Sequence, residues 1–143
     1  MERTFGARPG HLVAWAWIAS ILATAGSLYL SEVMNFAPCA LCWYQRIAMY
    51  PLVVVLGVGI VTGDLGVWRY SVPLAGIGLA IAVYHIVIQW QPTLDAGVCA
   101  VGVPCTARYV AVWGFVSIPT MAASAFALIL ATMGVLRFLG ERR

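Results

Sequence analysis

Charge is missing from four long stretches of this chain, and those gaps constrain its fold more than any other feature. No charged residue lies between Arg8 and Glu32, between Arg46 and Asp64, between Arg69 and Asp95, or from Tyr109 to Leu136 just before Arg137. The apolar cores are Leu12 to Leu30, Ile47 to Thr62, Val72 to Trp90 and Tyr109 to Leu136. Each is close to the roughly 17–25 residues that a bilayer-spanning helix needs. The second is short but extends upstream through Ala40–Tyr44. A membrane β-barrel would instead alternate over segments of about 10 residues. The chain is 63% hydrophobic and 9% charged, with a mean hydropathy of +0.95. That composition cannot cover a water-soluble surface, and it is too apolar for disorder. The expected fold class is an all-α integral membrane protein: an antiparallel four-transmembrane-helix bundle with short outer loops, one domain over residues 1–143.

The first span has Arg3 and Arg8 ahead of it, and Ala23-Thr24-Ala25 resembles a signal-cleavage site. Its apolar run exceeds the roughly 7–15 residues of a signal core, so it is read as a retained helix. Arginine placement sets the expected orientation. Arg3, Arg8, Arg69, Arg137, Arg142 and Arg143 all fall on one side of a four-helix hairpin pair. The opposite side carries Arg46 and Arg108 with Glu32 and Asp95. The positive-inside rule puts both termini in the cytoplasm. The loops at roughly Ser31–Pro38 and Gln91–Arg108 then face outward. No basic run is dense enough for nucleic acid. The small residues Ala75, Gly76, Gly78 and Ala80 would let the third helix approach a neighbour closely.

All four cysteines, Cys39, Cys42, Cys99 and Cys105, fall on the outward side, where disulfides persist. Four cysteines allow three pairings, and sequence alone does not choose between them. Proximity favours Cys39 with Cys42 and Cys99 with Cys105. Pro38-Cys39-Ala40-Leu41-Cys42 sits where the second helix should begin, with Pro38 suited to the first turn. The free N–H groups and dipole of a helix start stabilise a thiolate, the nucleophile of disulfide exchange. A C-x-x-C ring is small, and a purely structural staple gains more by closing a long loop. Cys39, Cys42 and Arg46 fall at i, i+3 and i+7 on one face, so the guanidinium can stabilise a thiolate or a reduced anionic acceptor. The second pair lies in a Gly- and Pro-rich excursion from Gly97 to Cys105, where a disulfide would be exposed to another protein's thiolate. His85 and Gln89, at i and i+4 near the outward end of the third helix, could hydrogen-bond a ligand carbonyl, each other or a backbone group. Trp43, Tyr44 and Trp90 read as boundary aromatics. Zinc is the competing chemistry. The five residues between Cys99 and Cys105 exceed the usual ligand spacing, so no metal ligands are assigned.

The run Leu41-Cys42-Trp43-Tyr44-Gln45-Arg46-Ile47, the four-span layout, the second outer cysteine pair and Gly114 with Pro119 entering the fourth helix together resemble the DsbB family of membrane thiol:quinone oxidoreductases. Within it, the chain is most similar to the BdbC branch, disulfide bond formation protein C. The resemblance implies a protein dithiol:quinone oxidoreductase of the bacterial plasma membrane. Such an enzyme reoxidises an extracytoplasmic thioredoxin-fold thiol oxidase and passes the electrons to a quinone, menaquinone or ubiquinone. It implies that Cys39 and Cys42 are the quinone-coupled pair, with Cys42 and Arg46 beside the ring. It also implies that the partner attacks Cys99, and that Cys105 can bridge to Cys39. Gln45 stands where other members commonly carry an acidic residue. The second outer loop is too short for a long amphipathic membrane-surface segment. Two other readings compete: a non-enzymatic four-helix membrane protein stapled by two inert disulfides, and a metal-binding membrane protein. A vitamin K epoxide reductase-like reading shares the spans and the C-x-x-C, but that family usually places the motif in a later helix.

Overall fold

The computed structural model describes residues 7–114 and 116–141. Helix α1 spans Ala7–Glu32, α2 Ala40–Thr62, α3 Trp68–Trp90 and α4 Ile118–Glu141. All four are long and apolar enough to cross a membrane. At 1.5 Å rise per residue, the shortest are roughly 35 Å long, against a hydrocarbon core of about 30 Å. Large side chains such as Ile47, Val54, Val61 and Tyr70 face outward, where only lipid makes them favourable. Each helix packs on its neighbours in the ring α1–α2–α3–α4–α1, which gives the expected antiparallel bundle. Arg3, Arg142 and Arg143 lie outside the described residues, as does the side chain of Arg8.

Local chemistry explains the helix ends. α2 stops at Gly63, whose left-handed φ of 66° lets its N–H reach the Ile60 carbonyl while the Asp64 N–H reaches that of Gly59. Asp64 then accepts from the Gly66 N–H at 2.7 Å and starts a single 3₁₀ turn, Leu65–Val67, that leads into α3. At the other end of α2, Cys39 is the N-cap, with φ −76° and ψ 173°. Pro38 therefore sits one residue ahead of the cap rather than in the first turn.

The fourth span differs from its expected start at Tyr109. The helix begins at Ile118, and Tyr109–Ser117 belongs to the outer loop. There Val112 and Val116 exchange a pair of 3.1 Å backbone hydrogen bonds across a turn with positive φ at Trp113 (55°) and Gly114 (79°). Hydropathy cannot separate an apolar loop from an apolar helix. The second outer loop thus runs over residues 91–117, with one short 3₁₀ turn at Pro92–Leu94 among the described residues.

One apolar core fills the bundle's length, with Val13, Leu52, Leu56, Phe126, Ile129 and Met133 at its centre. A second, smaller cluster lies at the end where α2 starts and α3 stops, and it is built around Cys39, Leu41, Ile88, Cys99 and Cys105. α1 is tied to α2 by the Trp17 indole, which donates to the Val53 carbonyl at 3.0 Å. Of the small residues on α3, Ala75 and Gly78 face inward and Ala80 is exposed. The Gly78 Cα lies against the Phe126 ring, and a Cβ there would collide with it, whereas Gly76 faces open space. Gly78→Ala is therefore expected to destabilise the bundle by about 1–3 kcal/mol through overpacking. Gly76→Ala should stay within about 0.5 kcal/mol. Thermal melting of the two variants in detergent checks this.

Candidate functional site

The start of α2 supplies most of the site. Cys39 caps the helix and Cys42 follows one turn later, which brings their sulfurs to 3.0 Å as two free thiols. Gln45 and Arg46 occupy the next turn and are both buried. From α3, His85 enters the same space and is 2% exposed. From the outer loop, Cys99 and Cys105 form a disulfide with a Cα separation of 5.7 Å.

His85 joins these parts. Its Nε2 lies 3.0 Å from the Cys105 carbonyl oxygen and 3.8 Å from Cys39 Sγ, and its Nδ1 lies 3.0 Å from Gln45 Nε2. A carbonyl only accepts, so Nε2 carries the proton, and Nδ1 accepts from the Gln45 amide. The ring thus holds the Cys105 backbone over Cys39. Its ligating nitrogen and the sulfurs of Cys39 and Cys105 all lie within 4.8 Å of one another. These three would suit a metal only with Cys105 as a thiolate. Here its sulfur is bound to Cys99.

The second disulfide is not exposed, contrary to the sequence-based expectation. Cys99 is 6% and Cys105 1% exposed, although Val101 between them is 91% exposed. The loop is docked by its ties to α3. The Tyr84 hydroxyl donates to the Leu94 carbonyl and accepts from the Ala96 N–H, and Arg108 donates to the Gln89 carbonyl at 3.0 Å. Phe36 of the first outer loop stacks on Tyr109 at 5.0 Å.

Beneath the sulfurs lies a largely apolar cavity of about 170 Å³. An apolar cavity of about 150 Å³ accepts a benzene-sized ring. Cys39, Cys42, Arg46, His85 and Gln89 all line it, so the structure gathers these expected residues on one wall system. Trp43, Tyr44 and Trp90 do not line it and are exposed, as boundary aromatics would be. Arg46 is 9% exposed, and no carboxylate pairs with it among the described residues. Its Nε donates to Ser27 Oγ at 2.8 Å, its Nη2 donates to the Ser27 carbonyl at 2.9 Å, and its guanidinium lies 5.2 Å from the Trp43 ring centroid. Tyr50, one turn further along α2, also lines the cavity, and its buried hydroxyl has no partner among the described residues. Sequence reasoning missed Ser27 and Tyr50. Their depth, level with or one turn below Arg46, is the signal that would have found them.

Cys39 lies just outside the membrane-spanning segment. Its thiol is lowered to about 4, chiefly by the hydrogen bond from Cys42. Burial opposes this shift and the His85 hydrogen bond adds to it. In the dithiol, Cys39 is therefore the sulfur that carries the charge.

Comparison with known proteins bears on this arrangement. The family model described as Disulfide bond formation protein DsbB matches residues 9–136. "Probable disulfide formation protein C 1" of Bacillus anthracis is 52% identical over 112 residues, covering 78% of this chain and 81% of that protein. "Disulfide bond formation protein C" of Bacillus subtilis (strain 168) is 44% identical over 129 residues, covering 89% and 91%. "Probable disulfide formation protein" of Oceanobacillus iheyensis is 45% identical over 121 residues, covering 83% of each. No solved structure matches.

The lowered Cys39 value has a pH signature. A depressed thiol pKa favours the thiolate, so charge persists as pH falls until about 4 is reached. In a variant lacking Cys99 and Cys105, thiolate ultraviolet absorbance should stay nearly constant from pH 8 to pH 6. With Cys42→Ala added, Cys39 loses its main donor and moves toward an ordinary thiol, near 8.5. Its absorbance at pH 6 should then fall at least about tenfold.

Proposed function

The chain belongs to the DsbB family of disulfide bond formation proteins, and from that premise we propose how its residues generate disulfides and where the electrons go. It is a multi-pass membrane oxidoreductase. The reading is a relay from an extracytoplasmic thioredoxin-fold thiol oxidase, through Cys99–Cys105 and Cys39–Cys42, to a membrane quinone. The cysteine end of the bundle faces outward, and Arg69 and Arg137 mark the cytoplasmic end.

The observation that carries this reading is the position of Cys39. It lies 3.0 Å from Cys42 and within 4.8 Å of the Cys105 sulfur, at the rim of the cavity that holds Arg46. Disulfide exchange requires a thiolate to approach a disulfide sulfur directly, and a small loop movement suffices here. A partner thiolate attacks Cys99, forms a mixed disulfide and releases Cys105 as a thiolate. Cys105 attacks Cys39 of the Cys39–Cys42 disulfide and releases Cys42, one turn from Arg46. The partner's second thiolate closes the partner's disulfide and frees Cys99. Cys99 attacks Cys105, so Cys99–Cys105 re-forms and Cys39 and Cys42 remain as a dithiol. The Cys39 thiolate and Cys42 thiol then close to a disulfide as two electrons and one proton pass to the acceptor, which takes its second proton from solvent.

A quinone bound in the cavity supplies a two-electron, two-proton sink that is soluble in lipid. The residues present fit it. Its carbonyl oxygens are hydrogen-bond acceptors, and the cavity wall offers as donors the buried Arg46 cation and the Tyr50 hydroxyl, which has no partner among the described residues. A buried cation without a carboxylate is costly in a membrane, and an electron-rich oxygen or the Cys42 thiolate offsets that cost. Gln89 offers a further amide at the same wall.

The test mixes purified protein with a reduced thioredoxin-fold oxidase and a short-chain quinone, and follows quinone loss by absorbance. Wild type should turn over many times. Cys42→Ser should lower quinone reduction by at least about three orders of magnitude, as loss of a nucleophile does, while still forming the mixed disulfide through Cys99. Full turnover by Cys42→Ser would reject the assignment.

A further inference from the structure

Helix α1 lines the cavity with apolar groups, among them Leu22, Ala23, Gly26 and Leu30, and with two serines. Ser31 turns back to its own helix, donating to the Ser27 and Leu28 carbonyls at 3.3 and 3.2 Å. Ser27 does not. Its hydroxyl accepts from Arg46 Nε at 2.8 Å and its carbonyl accepts from Arg46 Nη2 at 2.9 Å. One residue therefore binds one whole edge of the guanidinium, and the Trp43 ring covers a face, 5.2 Å from its carbon.

We infer that Ser27 is a positioning residue for electron exit: it aims the free edge of Arg46 into the cavity and leaves the cation's charge intact. The inference rests on the reading of Arg46 as the quinone-side cation. A guanidinium is planar and rigid, so holding one edge and one face fixes the direction of the other edge. Five N–H groups are available, and the Ser27 contacts use two, which leaves the Nη1 donors for an acceptor in the cavity. A carboxylate anchor would hold the same edge but cancel much of the field that a developing oxyanion needs. A hydroxyl and a backbone carbonyl hold it without adding a charge. Among the described residues no carboxylate pairs with Arg46, and its side-chain hydrogen bonds to Ser27 are both to neutral acceptors.

Ser27→Thr and Ser27→Val separate the hydroxyl from the space it fills, because the two side chains share a shape and only one accepts from Nε. Each full-length variant is placed in lipid nanodiscs with saturating reduced thioredoxin-fold oxidase, and a short-chain quinone is titrated. Ser27→Val should lower kcat/KM for the quinone about tenfold, the effect of losing one charge-assisted hydrogen bond. Most of that loss should come as raised KM, with Ser27→Thr within about threefold of wild type. In an Arg46→Lys background, which has no fork to aim, Ser27→Val should change kcat/KM by less than about twofold. Equal values for Ser27→Val and Ser27→Thr would overturn the inference, as would the full Ser27→Val loss persisting beside Arg46→Lys. If Ser27→Val does not fold, as judged by its melting curve, Ser27→Ala against Ser27→Thr reads the same difference. A wild type that reduces no quinone would instead remove the acceptor reading on which the inference rests.

Discussion

The hydrogen bond from the His85 ring to the Cys105 carbonyl is the contact that ties the two cysteine pairs into one site. It joins a rigid helix to a loop that has little regular structure of its own, and it does so beside Cys39. Gln45 makes the bond directional by donating to the opposite nitrogen, which leaves the proton on Nε2. A carboxylate at position 45 could only accept from that nitrogen and would reverse the direction of this bond. The amide thus fixes the tautomer that holds a backbone oxygen. Without this bond, the packing of Cys99 and Cys105 against Leu41 and Ile88, the Tyr84 and Arg108 hydrogen bonds and the Phe36–Tyr109 stack would have to keep the loop down.

The same helix start serves both halves of the chemistry. At its first turn, α2 presents Cys39 to the loop and Cys42 to the cavity, and at its second it presents Gln45 to His85 and Arg46 to Ser27. Helical spacing alone achieves this division, because residues three and four apart share a face. α1 then contributes Ser27 and α3 contributes His85, with Gln89 one turn further along the same wall.

Much of this arrangement was legible from residue order. Charged residues are so costly in hydrocarbon that their gaps located all four spans, and α2 and α3 end within a residue of the places where Thr62 and Trp90 marked them. The C-x-x-C at the start of α2 and the i, i+3, i+7 alignment with Arg46 followed from helix geometry. The start of α4 was not legible, because Tyr109–Ser117 is nearly as apolar as a span and carries no charge to mark it as a loop. A backbone group was among the partners the sequence allowed His85, but which one was hidden for a different reason. It is a backbone carbonyl in a loop, and no side-chain pattern announces a carbonyl. The burial of Cys99 and Cys105 likewise depends on how that loop folds back, which spacing does not encode.

That burial makes the protein insulated as well as reactive. A freely diffusing small thiol that strikes the docked loop meets Val101 and its neighbours, not sulfur. On the proposed relay, discharge of its oxidising power would then require a visitor with enough binding surface to prise the loop loose. Size and grip, rather than thiol reactivity alone, would decide who may draw current from this circuit.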